Sequence, residues 1–196
     1  TGSCEGVPAM FCKCAGCVEA KKRGGKNIRT RSQAVIDNKL LIDFPSDAYM
    51  HSLYGNVPLA DIHSVLLTHA HEDHLSVNDL LMRDTNKFCF DGTDGGLLTV
   101  YSSEASGREI RERLGSEKAV AAHGVVNKVV APYTEYDIDG YNVIPVKASH
   151  AFELDSYNYI VEKDGRSLLY AVDTGFFLDE TWDYIEKCGK RFDTVV

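Results

Sequence analysis

The segment Thr68-His69-Ala70-His71-Glu72-Asp73-His74 places four side chains of metal-ligand type within six positions. Imidazole and carboxylate are the donors that suit divalent zinc, manganese or iron. Side chains two apart in an extended segment point the same way. His69 and His71 are therefore placed to grip one ion. Asp73 and His74 come after a turn of the chain and are placed to grip a second. A solvated polar loop is the plain alternative, but packing alone does not ask for this crowd of ligands at the mouth of an apolar run.

Two later residues can complete such a site. His150 follows the apolar run Val143–Lys147, and Asp173 follows Leu168–Val172, just before Thr174-Gly175 turns the chain. Alone, each reads as a loop or cap residue; beside the first motif, each reads as a ligand at a strand end. A second cluster lies near the start. Cys12-Lys-Cys14-Ala-Gly-Cys17 offers three thiolates to one ion, one short of the four that tetrahedral zinc takes. The alternative is three unrelated free thiols. The six cysteines are Cys4, Cys12, Cys14, Cys17, Cys89 and Cys188. Three of them within six residues suit a metal site in a reducing compartment better than a disulfide framework.

These residues need elements to hold them. Val35-Ile36 and Leu40–Ile42 flank a turn at Asn38 and predict a hairpin. Ile62–Thr68 predicts a buried strand running into the histidine cluster. Ser76-Val-Asn-Asp79 predicts a capped short helix through Met82. Strands are expected at 97–101, 125–130, 141–147, 157–162, 167–172 and 194–196, and helices at 104–114 and 178–188. Loops are expected over 4–26 and 91–96. Strands interleaved with helices predict an α/β domain of sheets under covering helices.

Composition narrows the class. The chain has 196 residues, of which 44% are hydrophobic and 26% charged, an ordinary globular mix. No apolar run nears the roughly 20 residues of a membrane span, and no secretory signal pattern is present. A net charge of −8 argues against nucleic-acid binding, which runs on phosphate neutralisation by Lys and Arg.

His69, His71, Asp73 and His74, then His150, then Asp173 in Tyr-Ala-Val-Asp-Thr-Gly, together resemble the metallo-β-lactamase superfamily. That resemblance implies a four-layer αβ/βα sandwich. It also implies two active-site ions: one on His69, His71 and His150, one on Asp73, His74 and a final histidine, with Asp173 bridging. Thr1-Gly-Ser-Cys-Glu-Gly6-Val-Pro8 followed by the Cys12, Cys14, Cys17 cluster is similar to the phosphoribosyl cyclic phosphate phosphodiesterases of phosphonate breakdown. There the cysteines hold a structural zinc with a histidine from near the C-terminus. A related subgroup in pyrroloquinoline quinone biosynthesis carries a similar cluster, so the motif marks a branch and not a substrate.

The expectation is a dinuclear hydrolase using two divalent ions (zinc or manganese, or iron) and one structural zinc, acting on a small cyclic phosphodiester. Two close dications lower the pKa of a shared water toward neutrality, with Asp73 and Asp173 orienting it. Asp43, Glu72 and Thr68 are candidates to hold the ligating histidines. A cytoplasmic protein without membrane or nucleic-acid partners is expected, and a homodimer is admitted. Rival readings are another hydrolase of the superfamily and a metal-binding or carrier module without hydrolysis. No histidine follows Asp173, so the expectation is a single domain over 1–196 that lacks its first strand and its last ligand-bearing strand and helix segment.

Overall fold

A computed structural model describes residues 4–84 and 96–196. Thr1–Ser3, Cys89 and most of the expected 91–96 loop lie outside the described residues. The first half carries α1 (Ala15–Arg23), β1 (Ala34–Ile36), β2 (Leu40–Ile42), α2 (Ala48–Gly55), β3 (Ser64–Leu66), α3 (Val77–Leu80), β4 (Leu98–Ser102), α4 (Glu104–Leu114), α5 (Glu117–His123) and β5 (Val125–Val129). The second half carries β6 (Tyr136–Ile138), β7 (Tyr141–Lys147), β8 (Tyr157–Lys163), β9 (Arg166–Tyr170), α6 (Asp179–Cys188) and β10 (Thr194–Val195).

The strands form two five-stranded sheets. One runs β1-β2-β3-β4-β5, with β1 antiparallel to β2 and the rest parallel. The other runs β10-β9-β8-β7-β6, antiparallel except for the β9–β10 pair. Turn chemistry sets the hairpins. Asp37 and Asn38 both take positive φ between β1 and β2, and Asp164 and Gly165 do so between β8 and β9, as tight hairpin turns require.

Side-chain alternation divides the apolar residues into three cores. Leu40, Ile42 and Leu66 of the first sheet meet Tyr141, Val143, Tyr159 and Val161 of the second. Leu41 and Val65 point the other way, toward Ala48 of α2 and Ile110 and Leu114 of α4. On the outer face of the second sheet, Ile144, Val146, Ile160 and Leu169 pack against Tyr184 and Ile185 of α6. Helix, sheet, sheet and helix thus form the four layers expected. All three residues of β2 are fully buried, as suits a strand covered on both faces.

One expectation is corrected. Residues 4–26 are not a continuous loop, because α1 occupies Ala15–Arg23. Cys14 is its N-cap and accepts from the Cys17 amide. Lys21, Lys22 and Arg23 fill its last turn and Gly24 ends it, an arrangement the helix dipole favours. It buries no residue, so it has no apolar stripe to announce it. Two further helices lie outside the expected elements: α2, ended by left-handed Asn56, and α5, capped by Ser116 and Gly124. The expected capping box before α3 takes another form, with Ser76 Oγ donating to the Asp79 carboxylate at 2.7 Å.

Candidate metal centre

The site forms where several strands end together. Asp43 follows β2, the Thr68–His74 segment follows β3, His150 follows β7 and Asp173 follows β9. Carboxyl ends of strands are where α/β sheets expose ligand-binding loops. The two sheets are tied at this edge. The Tyr157 amide donates to Thr68 O at 2.8 Å, and the buried Tyr159 hydroxyl donates to Leu67 O at 2.7 Å. Below His71 the chain turns on itself: the His74 and Leu75 amides both donate to His71 O. That turn points Glu72 into solvent, so Glu72 braces no histidine.

Asp43 organises the base of the site. It is fully buried, in a left-handed backbone conformation with φ 63°. Its carboxylate accepts from the Thr68 amide at 2.8 Å, from the Thr68 hydroxyl at 2.9 Å and from His74 Nδ1 at 2.7 Å. With its own hydrogen committed to Asp43, Thr68 Oγ1 is the acceptor for His69 Nδ1 at 3.1 Å. Both buried imidazoles therefore carry their proton on Nδ1, and their Nε2 atoms face the opening. A carboxylate behind a ligating imidazole is the usual way a metal site fixes tautomer and ring angle.

Two groups of donor atoms result, each within 4.8 Å of one another: His69, His71 and His150, and His69, His74 and Asp173. In the first, His71 Nδ1 lies 3.0 Å from His69 Nε2 and 3.3 Å from His150 Nε2. In the second, His74 Nε2 lies 3.1 Å from Asp173 Oδ2. Asp73 adjoins the second group through its Oδ2, 3.6 Å from His74 Nε2. Its Oδ1 accepts from the Cys4 thiol at 3.0 Å. His69 and His74 are almost wholly buried, whereas the His150 and Asp173 side chains are 33% and 40% exposed. The exposed pair forms the rim.

The electrostatics suit a cation. Burial, followed by the neighbouring histidines, pushes the His69 pKa down to about 3, which keeps its lone pair free. Burial also opposes charge on His74, but hydrogen bonds to Asp173 and Asp43 outweigh it and raise the pKa to about 10. The same bond to His74 holds the Asp173 carboxyl below the usual carboxylate range. A proton on His74 Nε2 thus stands where this donor set would accept a divalent ion. Four imidazoles and a carboxylate across the two groups fit zinc, manganese or iron.

The sequence of residues 40–196 matches the family described as Beta-lactamase superfamily domain. The chain belongs to that superfamily. Solved structures of this superfamily fold overlay the chain at low identity. Zn(2+)-bound PqqB from Methylobacterium extorquens gives a TM-score of 0.70 at 17% identity, covering all of this chain and 69% of that one. YhfI from Bacillus subtilis gives 0.65 at 18%, covering 85% of this chain and 63% of that one. The short form of human tRNase Z gives 0.63 at 13%, covering 85% and 70%. No curated protein matches the sequence.

The cysteine cluster lies on and before α1. Cys12, Cys14 and Cys17 bring their sulfur atoms within 4.8 Å of one another. The amides of Cys14 and Cys17 donate to the sulfurs of Cys12 and Cys14. The Cys17 amide bond is the main reason the Cys14 pKa falls to about 7, and a thiol so placed is readily a thiolate ligand. Cys4, Cys12, Cys14, Cys17 and Cys188 are free.

Asp43 and Thr68 are among the residues the sequence offers to hold the histidines, whereas Cys4 is not. Nothing local singles them out: Asp43 lies 31 positions from His74 and Cys4 lies 69 from Asp73. Among the described residues, no helix is long and apolar enough to cross a membrane.

Proposed function

We propose that this chain is a metal-dependent hydrolase of the phosphodiesterase kind, acting on a small cyclic phosphodiester. His69, His71, Asp73, His74, His150 and Asp173 are its active-site ligands, for two divalent ions of zinc, manganese or iron. The observation that supports it most directly is the pair of donor groups sharing His69, with Asp43 and Thr68 fixing the buried rings behind them. Divalent ions bound there supply Lewis acidity, which activates water and offsets the charge of a phosphodiester.

The chain's own residues do the positioning. Asp43 and Thr68 hold His69 and His74 with Nε2 turned outward. Burial of both rings keeps bulk water from the base of the site. His150 and Asp173, at the rim, meet the substrate side of the centre. Asp73 and Asp173 are assigned the orienting of the attacking water.

Cys12, Cys14 and Cys17 are proposed as a structural zinc site. With the resemblance of the N-terminal segment, they support the phosphoribosyl cyclic phosphate phosphodiesterase branch. The domain is read as one unit over 1–196, cytoplasmic, with a small-molecule substrate. The deciding experiment compares turnover of bis(p-nitrophenyl) phosphate and nitrocefin by protein loaded with zinc or manganese. Hydrolysis of the first and not the second is expected. Nitrocefin turnover alone would replace the phosphodiesterase reading with lactam cleavage. Inertness to both would favour a metal-binding or carrier role.

A further inference from the structure

Strand β8 is buried over its first five residues, and all of them are apolar or aromatic except Asn158. Asn158 is fully buried. Its Oδ1 has no hydrogen-bond partner among the described residues. A buried amide with one end unpaired destabilises a core, so its presence there asks for a reason.

The other end of the amide supplies one. Asn158 Nδ2 donates to Val172 O at 2.9 Å, the carbonyl directly before Asp173. The β8–β9 ladder stops at the pair Tyr159↔Tyr170. Beyond it the chain leaves the sheet, and Asp173 adopts φ 47°, a backbone region that non-glycine residues avoid. On the β10 side the Ala171 amide still donates to Val196 O at 2.7 Å, but on the β8 side no ladder bond supports that departure. On its far side the segment is held by the His150 loop, where the Ser149 amide donates to Thr174 Oγ1 and the Gly175 amide donates to Ser149 O at 3.0 Å. Asn158 holds the near side. Together these bonds aim Asp173 Oδ2 at His74 Nε2.

We infer that Asn158 is a positioning residue for the metal centre: its side-chain amide clamps Val172 O and so fixes the Asp173 carboxylate in the donor group with His69 and His74. The inference rests on the reading of Asp173 as a metal ligand. Asn158 touches neither substrate nor ion. It stands in for the missing ladder bond at the point where the strand gives way to the ligand.

The test is manganese titration, followed by electron paramagnetic resonance, of the whole chain and three variants. Asn158→Leu and Asn158→Ala both remove the donor, one filling the space and one leaving a cavity. Ile160→Ala is the control, since Ile160 is equally buried on the same face of β8 but does not bond Val172. One manganese equivalent is expected to lose at least tenfold in affinity in whichever Asn158 variants fold, with Ile160→Ala matching wild type. Wild-type affinity in a folded Asn158 variant, or an equal loss in Ile160→Ala, overturns the inference alone. Absence of manganese binding by the wild-type chain overturns the metal reading of Asp173, and this inference with it.

Discussion

Asp43 and His74 share a hydrogen bond of 2.7 Å, and neither side chain is more than 1% exposed. The bond fixes the imidazole by its Nδ1 and leaves Nε2 to face Asp173. It also binds the end of β2 to the segment after β3, so that the first sheet and the candidate metal centre share one strut.

Asp43→Asn should therefore weaken metal binding. Loss of an outer partner to a ligating histidine typically lowers affinity about 10- to 100-fold. Competitive titration with a chromophoric chelator reads the change directly. Unchanged affinity would mean that His74 is oriented by something else.

His69→Ala and Asp173→Ala should each abolish hydrolysis of an activated phosphodiester. His69 belongs to both donor groups, and Asp173 forms the open side of one. Asp173 is substantially exposed, so circular dichroism and the thermal midpoint of Asp173→Ala should stay near wild type. Wild-type turnover in either variant would remove the metal-hydrolase reading.

Chelation should lower the thermal midpoint, and zinc or manganese should restore it. A ligand bound only by the native state stabilises it by mass action, about 2.7 kcal/mol at a hundredfold excess over Kd. Scanning calorimetry with and without chelator checks this. Elemental analysis should find three metals per chain if two active-site ions and one structural zinc are all present.

The triple variant Cys12→Ser, Cys14→Ser, Cys17→Ser should lose one zinc per chain and some thermal stability, with little change in turnover per active site. The cluster lies on and before α1 and shares no residue with the donor groups of the metal centre, which is the reason for the expected separation. Normal zinc content in the triple variant would leave the cysteines as free thiols.

Tyr159→Phe should destabilise the chain by about 1–3 kcal/mol, because it leaves the buried Leu67 carbonyl without its donor. The shift is read from the midpoint of urea unfolding. Leu67 precedes Thr68, so the same variant should also loosen the seat of His69.

What the amino-acid sequence determined by itself was local. Ligand types and their close spacing marked His69, His71, Asp73 and His74. The turn at Asn38 marked a hairpin, and an apolar run marked every strand but β6, whose Tyr136-Asp137-Ile138 carries none. These signals survive in one dimension because dihedral preference and side-chain alternation act over a few residues. Helices without an apolar stripe, α1 above all, escaped for the same reason, since only their caps announced them.

Tertiary structure decided which residues meet. It brought His150 and Asp173 from the second sheet to the His69–His74 segment of the first and exposed Glu72. It also set Cys4 against Asp73 and put Asn158 behind Asp173. Each of these pairings depends on how two twisted sheets stack and where each strand stops. That is a property of packing in three dimensions, and no window of sequence contains it.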